Sequence, residues 1–147
     1  MTQRVPDLER ARREGRVVLV VEDNLVNRRM IGKLLTVIGI ASEAVATGQE
    51  ALERFDPTVH GLILTDVRMP GIDGVELARR VRSREAADRR PAVPIIAFSA
   101  DVQTETQRRC QQAGMNGYIA KPVELETLRP LLDRWLKPQA APGTAQA

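Results

Sequence analysis

The run Val17-Val18-Leu19-Val20-Val21-Glu22-Asp23-Asn24 decides how the rest of the chain is read. Its first five residues are all apolar and almost all β-branched, with no alternation, so a strand formed here is buried on both faces. That pattern belongs to the interior of a parallel sheet covered by helices above and below. Two carboxylates follow directly, and then Asn24, a residue suited to capping a helix. Val26, Met30, Leu34, Val37 and Ile38 recur at helical spacing until Gly39. The same succession repeats downstream. Residues 41–46 form a weaker second strand, and Thr47 opens a short helix carrying Ala51, Leu52 and Phe55. Residues 62–65 are a third strand, after which Pro70, Gly71, Asp73 and Gly74 mark a turn before the stripe Val75, Ala78 and Val81. Residues 95–98 are a fourth strand, preceded by a loop holding Pro91 and Pro94. A polar helix over 103–113 stops at Gly114, residues 118–120 give a brief fifth strand, and Leu125, Leu128, Leu132 and Trp135 face inward from a last helix. Strands alternating with helices predict a doubly wound α/β fold on a parallel sheet, with right-handed crossovers. In such folds the functional site lies beyond the carboxyl ends of the strands.

Composition agrees with one soluble domain. The chain has 147 residues, 43% of them apolar and 28% charged, which excludes a disordered polymer. A single cysteine, Cys110, excludes an internal disulfide and a cysteine-based zinc site, and a lone His60 excludes a histidine-rich one. Cys110 is expected to pack inertly, and His60, in the turn before the third strand, to be exposed. No apolar run approaches the ~18 residues of a membrane-spanning helix. The first sixteen residues are too charged for a secretory signal, so a cytoplasmic location is expected. Residues 1–15 form a polar extension in which Pro6-Asp7 starts a short helix and Gly15 stops it. Residues 16–137 are the folded domain. Residues 138–147, without charge or large apolar groups, are expected to be disordered, a composition that fits a linker as well as a tail. The net charge of +3 and the cluster Arg79, Arg80, Arg82, Arg84, Arg89 and Arg90 raise the question of nucleic acid. Four aromatic residues (one Trp, one Tyr, two Phe) leave little for base stacking, so a solvated helix face is the expectation.

The chemistry gathers at the strand ends. The first strand runs into Glu22 and Asp23, the third into Asp66, the fourth ends at Ser99, and the fifth runs into Lys121. A parallel sheet brings all of these to one edge. Clustered carboxylates stay ionised together only beside a compensating cation, and all-oxygen ligands favour Mg²⁺. A lysine and a hydroxyl beside such an ion suit a phosphoryl group. Neither a Walker pattern nor Gly-x-Gly-x-x-Gly is present, so ATP and dinucleotides are disfavoured. A carboxylate remains as the attacking group, which would give an aspartyl phosphate.

These motifs resemble the receiver domain of bacterial response regulators. The likeness rests on Val20-Val21-Glu22-Asp23-Asn24, on Leu64-Thr65-Asp66-Val67-Arg68-Met69-Pro70-Gly71-Ile72-Asp73-Gly74, on Ala97-Phe98-Ser99-Ala100 and on Tyr118-Ile119-Ala120-Lys121-Pro122. It spans about residues 16–137. Asn24-Leu25-Val26-Asn27-Arg28 and Ala113-Gly114-Met115-Asn116-Gly117-Tyr118 are most similar to receivers of hybrid histidine kinases and phosphorelays. The resemblance implies a flavodoxin-like (βα)5 fold with strand order 2-1-3-4-5. It implies that Asp66 accepts a phosphoryl group from a phosphohistidine of a histidine kinase or histidine phosphotransfer protein. Asp23, Asp66 and the backbone carbonyl of Arg68 would bind Mg²⁺, with Glu22 assisting through water. Lys121 and Ser99 would hold phosphoryl oxygens, Tyr118 would switch rotamer with Ser99, and Lys121-Pro122 would be cis. Glu22 and Ser99 stand where aspartate and threonine are more frequent, and both keep the functional group.

Other functions are weaker. A metal-dependent phosphatase would need an acid/base beside the nucleophile, where Arg68 stands, and a cap that no insertion here could form. A phosphorylation-independent module would be expected to lack Asp66, Lys121 or the acidic pair. DNA binding would need a further domain, and nothing after Trp135 could form one. The chain is therefore expected not to be a turnover enzyme, and to catalyse only its own phosphorylation and dephosphorylation. Asn27, Met30 and Leu34, with Pro122 and Val123, are expected to dock the phosphoryl donor. Arg68 and Asp101, each two residues past a site residue, could pair across its mouth and slow loss of the phosphoryl group.

Overall fold

The computed structural model describes residues 6–101 and 103–136. Among the described residues five strands, β1 (Val17–Val21), β2 (Ser42–Val45), β3 (His60–Asp66), β4 (Ile95–Ser99) and β5 (Gly117–Ala120), form one sheet in the order β2-β1-β3-β4-β5. All neighbouring pairs are parallel. Among the same residues six helices accompany them: α1 (Leu8–Glu14), α2 (Leu25–Val37), α3 (Gly48–Arg54), α4 (Gly74–Asp88), α5 (Thr104–Gln112) and α6 (Leu125–Trp135).

Every residue of β1 is buried, as its unbroken apolar run requires. Its alternate side chains feed two core layers. Leu19 and Val21 join Ile63, Leu77, Val81 and Ile95 beneath α3, α4 and α5. Val18 and Val20 join Ile31, Leu35, Leu62, Leu64, Leu128 and Leu132 beneath α2 and α6. Cys110 packs in the first layer, and Trp135 leans half-buried on the second. Side-chain caps set the helix starts: Asn24 accepts from the Asn27 N–H, Thr47 from Glu50 and Asp73 from Glu76. Asp7 caps α1 in the same way, and Gly15 ends it in the left-handed region at φ 67°. Residues 138–147 lie outside those described.

Two expectations need correction. The third strand reaches from residue 60 to 66 rather than 62 to 65, because it is central and pairs on both sides, with β1 and with β4. His60 is therefore in the strand and buried, not exposed. Its ring stacks on Phe55 with centroids 5.9 Å apart, and Nδ1 accepts a hydrogen bond from the Asp56 N–H at 3.0 Å. Burial holds its pKa below the ordinary imidazole value, and Glu43, 3.4 Å from Nε2, offsets only part of that. Arginines of the α4 cluster have carboxylate partners on their own helix: Arg80 and Arg79 with Glu76, and Arg82 with Glu85. Arg79 and Arg80 form the expected solvated face, whereas half-buried Arg82 donates to the Gly114 carbonyl and Arg84 to that of Leu52.

Candidate functional site

The register of the sheet assembles the site. Val21 lies opposite Thr65, so Glu22 and Asp66 follow side by side. Asp66 lies opposite Phe98, which sets Ser99 one residue beyond. Ser99 lies opposite Ala120, and the Lys121 N–H donates to the Ser99 carbonyl at 2.9 Å. The predicted set Glu22, Asp23, Asp66, Ser99 and Lys121 thus meets at one edge of the sheet.

Carboxylate oxygens of Glu22, Asp23 and Asp66 lie within 4.8 Å of one another. Glu22 is fully buried, Asp66 is nearly so, and Asp23 is exposed. Lys121 Nζ bridges the two buried acids, 2.9 Å from Glu22 Oε1 and 2.9 Å from Asp66 Oδ2. Burial alone would depress the lysine's pKa, but these two carboxylates outweigh it and the net shift is upward. The ammonium is therefore secure at neutral pH. It also lies 5.3 Å from the centre of the Phe98 ring. Glu22 Oε2 accepts from the Asn24 N–H at 3.3 Å, and Asp66 Oδ1 from the Arg68 N–H at 3.3 Å. The peptide bond between Lys121 and Pro122 is cis.

Gly74 is required where α4 begins. A Cβ there would collide with the Asp66 carbonyl oxygen and sit 3.0 Å from Val67 Cα. Its absence lets the helix start pressed against the strand end that carries Asp66. Gly71, at φ 75°, turns the intervening loop.

Ser99 and Tyr118 meet through Asp101. The Ser99 hydroxyl accepts from the Asp101 N–H at 3.0 Å, and the half-buried Tyr118 phenol donates to the Asp101 carbonyl. Burial pushes the phenol's pKa up, and a hydrogen bond with Ser99 offsets part of that rise. The Asp101 carboxylate pairs with Arg68 Nη2 at 2.7 Å across the mouth of the site, as the spacing allowed. It also accepts from Thr106 and from the Gln103 N–H.

Of the expected docking residues, Asn27, Met30, Pro122 and Val123 line a hollow of about 240 Å³ beside Lys121. Leu34 does not join them. It is half-buried and packs into the α2/α6 core, one turn too far along the helix. Ile31 takes its place in the wall, and Leu25, Val26 and Met30 are exposed on the same helix. Sequence reasoning also passed over Arg28, whose guanidinium bonds the carbonyls of Glu22 and Asp23.

Comparison with known proteins agrees with this geometry. The response regulator receiver domain family matches residues 18–133. Hybrid signal transduction histidine kinase L of Dictyostelium discoideum is 33% identical over 123 residues, covering 82% of this chain. The matched region is only 7% of that kinase, so the chain corresponds to a small part of such relatives. Among solved structures, the receiver domain of the sensor histidine kinase PA1611 from Pseudomonas aeruginosa, with a magnesium ion coordinated in its active-site cleft, is 39% identical. The match has a TM-score of 0.70 and covers 82% of this chain and 97% of that one. The receiver domain of Saccharomyces cerevisiae Ssk1, in complex with the histidine phosphotransfer protein Ypd1, is 30% identical with a TM-score of 0.73. That match covers 81% of this chain and 87% of the other. With its strand order, its acidic strand ends and a family match across most of its length, the chain belongs to the response regulator receiver domains, and its relatives include the receivers of hybrid histidine kinases and phosphorelays.

Proposed function

We propose that the chain accepts a phosphoryl group on Asp66 from the phosphohistidine of a histidine kinase or a histidine phosphotransfer protein, within a two-component system or phosphorelay. The observation that carries this reading is the Lys121 ammonium held between Glu22 and Asp66 at 2.9 Å, with Asp23 completing the acidic group. A carboxylate oxygen of Asp66 attacks phosphorus, the bond from phosphorus to the imidazole nitrogen breaks, and its electron pair stays on the imidazole. Lys121 is already a cation and can take a phosphoryl oxygen. The Ser99 hydroxyl would leave the Asp101 N–H to take another, and Tyr118, bound to the same residue, would sense the change.

The donor set fits Mg²⁺. Three carboxylates face one lysine, which leaves an excess of negative charge, and every ligand atom is oxygen. The exposed member, Asp23, leaves the site open to solvent, as suits an ion that keeps several waters. Asp23, Asp66 and the Arg68 carbonyl would hold it, with Glu22 behind. Its contribution when bound is to neutralise charge on the phosphoryl oxygens.

The reading does not make the chain a turnover enzyme. Arg68 follows Asp66 where a phosphatase would need a general base, and Asp101 is a poor one. The Thr106 hydroxyl, the Gln103 N–H and Arg68 together lower its pKa to about 2. A cytoplasmic site of action is part of the proposal. Among the described residues, no helix is long and apolar enough to cross a membrane.

Two expected results follow from the geometry. Met30→Asp should slow phosphorylation by a protein phosphohistidine donor, roughly tenfold for the loss of an apolar contact worth about 1.4 kcal/mol. It should leave phosphorylation by a small phosphodonor unchanged. Equal slowing with both donors would place Met30 in the chemistry rather than in docking. The second result concerns the lifetime of the phosphoryl group. The Arg68–Asp101 pair lies over the site mouth and obstructs an attacking water. Solvent screens a pair at this open mouth, so Arg68→Ala or Asp101→Ala should hasten loss of the phosphate by no more than about fivefold. The double mutant should add little beyond either single one. Unchanged decay in all three variants would dispose of the idea.

A further inference from the structure

Arg28 sits in the first turn of α2, and its side chain folds back over the start of that helix. One guanidinium nitrogen, Nη1, donates to the carbonyl of Glu22 at 2.9 Å and to that of Asp23 at 3.3 Å. Those two oxygens belong to the peptide groups on either side of Asp23. The backbone that aims this carboxylate is therefore held from both ends. The other two acids are restrained through their own side chains: Glu22 by Lys121 and the Asn24 N–H, Asp66 by Lys121 and the Arg68 N–H. Asp23 is the exposed member of the group, and among the described residues its carboxylate accepts no hydrogen bond.

We infer that Arg28 is a positioning residue for the cation site: it presets the Asp23 carboxylate by clamping the two carbonyls that flank it. This rests on the reading of Glu22, Asp23 and Asp66 as a Mg²⁺ site. Two effects of the guanidinium oppose each other. As a cation near the site it repels a divalent ion, so removing it would tighten binding. As a clamp it removes freedom that Asp23 would otherwise lose on binding, so removing it would weaken binding. The sign of the change separates a clamp from a bystander charge.

The test is a calorimetric Mg²⁺ titration of the full chain in wild type, Arg28→Met and Arg28→Lys, with amide hydrogen exchange followed at Asp23 and Asn24. Partners outside the ligand shell commonly alter metal affinity by 10–100-fold, and a contact made only through the backbone should lie at the low end, about tenfold weaker for Arg28→Met. Arg28→Lys keeps the charge but not the planar, rigidly spaced donors, so its affinity should also fall, by less. Exchange at Asp23 and Asn24 should quicken in Arg28→Met while β1 is unaffected. If Arg28→Met proves too unstable to titrate, Arg28→Lys carries the test with the same sign. Equal or tighter Mg²⁺ binding in the variants would overturn the inference. Wild type that binds no Mg²⁺ would overturn the metal reading. The exchange data would then judge the clamp alone, and unchanged exchange would overturn it as well.

Discussion

Asp66→Asn is expected to abolish stable phosphorylation, reducing incorporation from a small phosphodonor with Mg²⁺ to that of a reaction without donor. The substitution keeps the shape of the side chain and removes the anionic oxygen that attacks phosphorus. The fold should survive, because Lys121 keeps its bond to fully buried Glu22 and the remaining acids repel each other less. Mg²⁺ response is a second signature. An ion that binds only the folded chain stabilises it by ~2.7 kcal/mol at a hundred times its dissociation constant. For a domain of this size that raises the melting temperature by roughly 5–10 °C. Asp66→Asn should lose most of this rise. Intact-mass measurement of phosphate incorporation, with thermal melts in Mg²⁺ and in chelator, checks both parts. Phosphate retained on Asp66→Asn at the wild-type level would sink the assignment.

Lys121→Met should have the largest effect on stability. It leaves Glu22 wholly buried with only the Asn24 N–H at 3.3 Å, and Asp66 with only the Arg68 N–H at 3.3 Å. Removing one partner of a fully buried ion pair costs ~3–5 kcal/mol. The lysine side chain is 23% exposed, so solvent screening reduces the expected loss to about 2 kcal/mol. That corresponds to a fall of roughly 4–8 °C in the metal-free melt. Mg²⁺ should then stabilise Lys121→Met more than wild type, since the ion takes over part of the missing positive charge. Glu22→Gln in the same background should restore stability, because it removes the stranded buried charge. The coupling between positions 22 and 121 in that double-mutant cycle should be of order 1–3 kcal/mol. Independent, additive effects at the two positions would show that the pair does not hold the site together.

Much of this protein is legible in local pattern. An unbroken apolar run such as residues 17–21 has one stable solution, a strand covered on both faces, and its alternation with helical stripes fixes the parallel arrangement. Once the sheet is parallel, strand ends share an edge. Asp23, Asp66, Ser99 and Lys121 therefore converge whatever the loops between them do.

What depends on the exact path of the chain needed the tertiary structure. Arg68 and Asp101 are 33 residues apart on two exposed loops, and whether they meet is set by loop curvature rather than residue type. His60 looked like a turn residue until pairing with β1 extended β3 back through it, where its ring is buried against Phe55. Leu34 shares a helical stripe with Met30, but it packs against the α2/α6 core while Met30 stays exposed beside the hollow. Arg28 is an ordinary surface arginine by composition. Only the sharp turn from β1 into α2 brings two carbonyls within reach of its guanidinium. Periodicity alone misplaces the buried face of α2, where Val26, Met30 and Val37 are exposed and Ile31 and Leu35 are buried, because which stripe packs is decided by the elements it meets. Contacts between separate turns carry no period at all, because they are decided by where folding leaves two backbones a few ångströms apart.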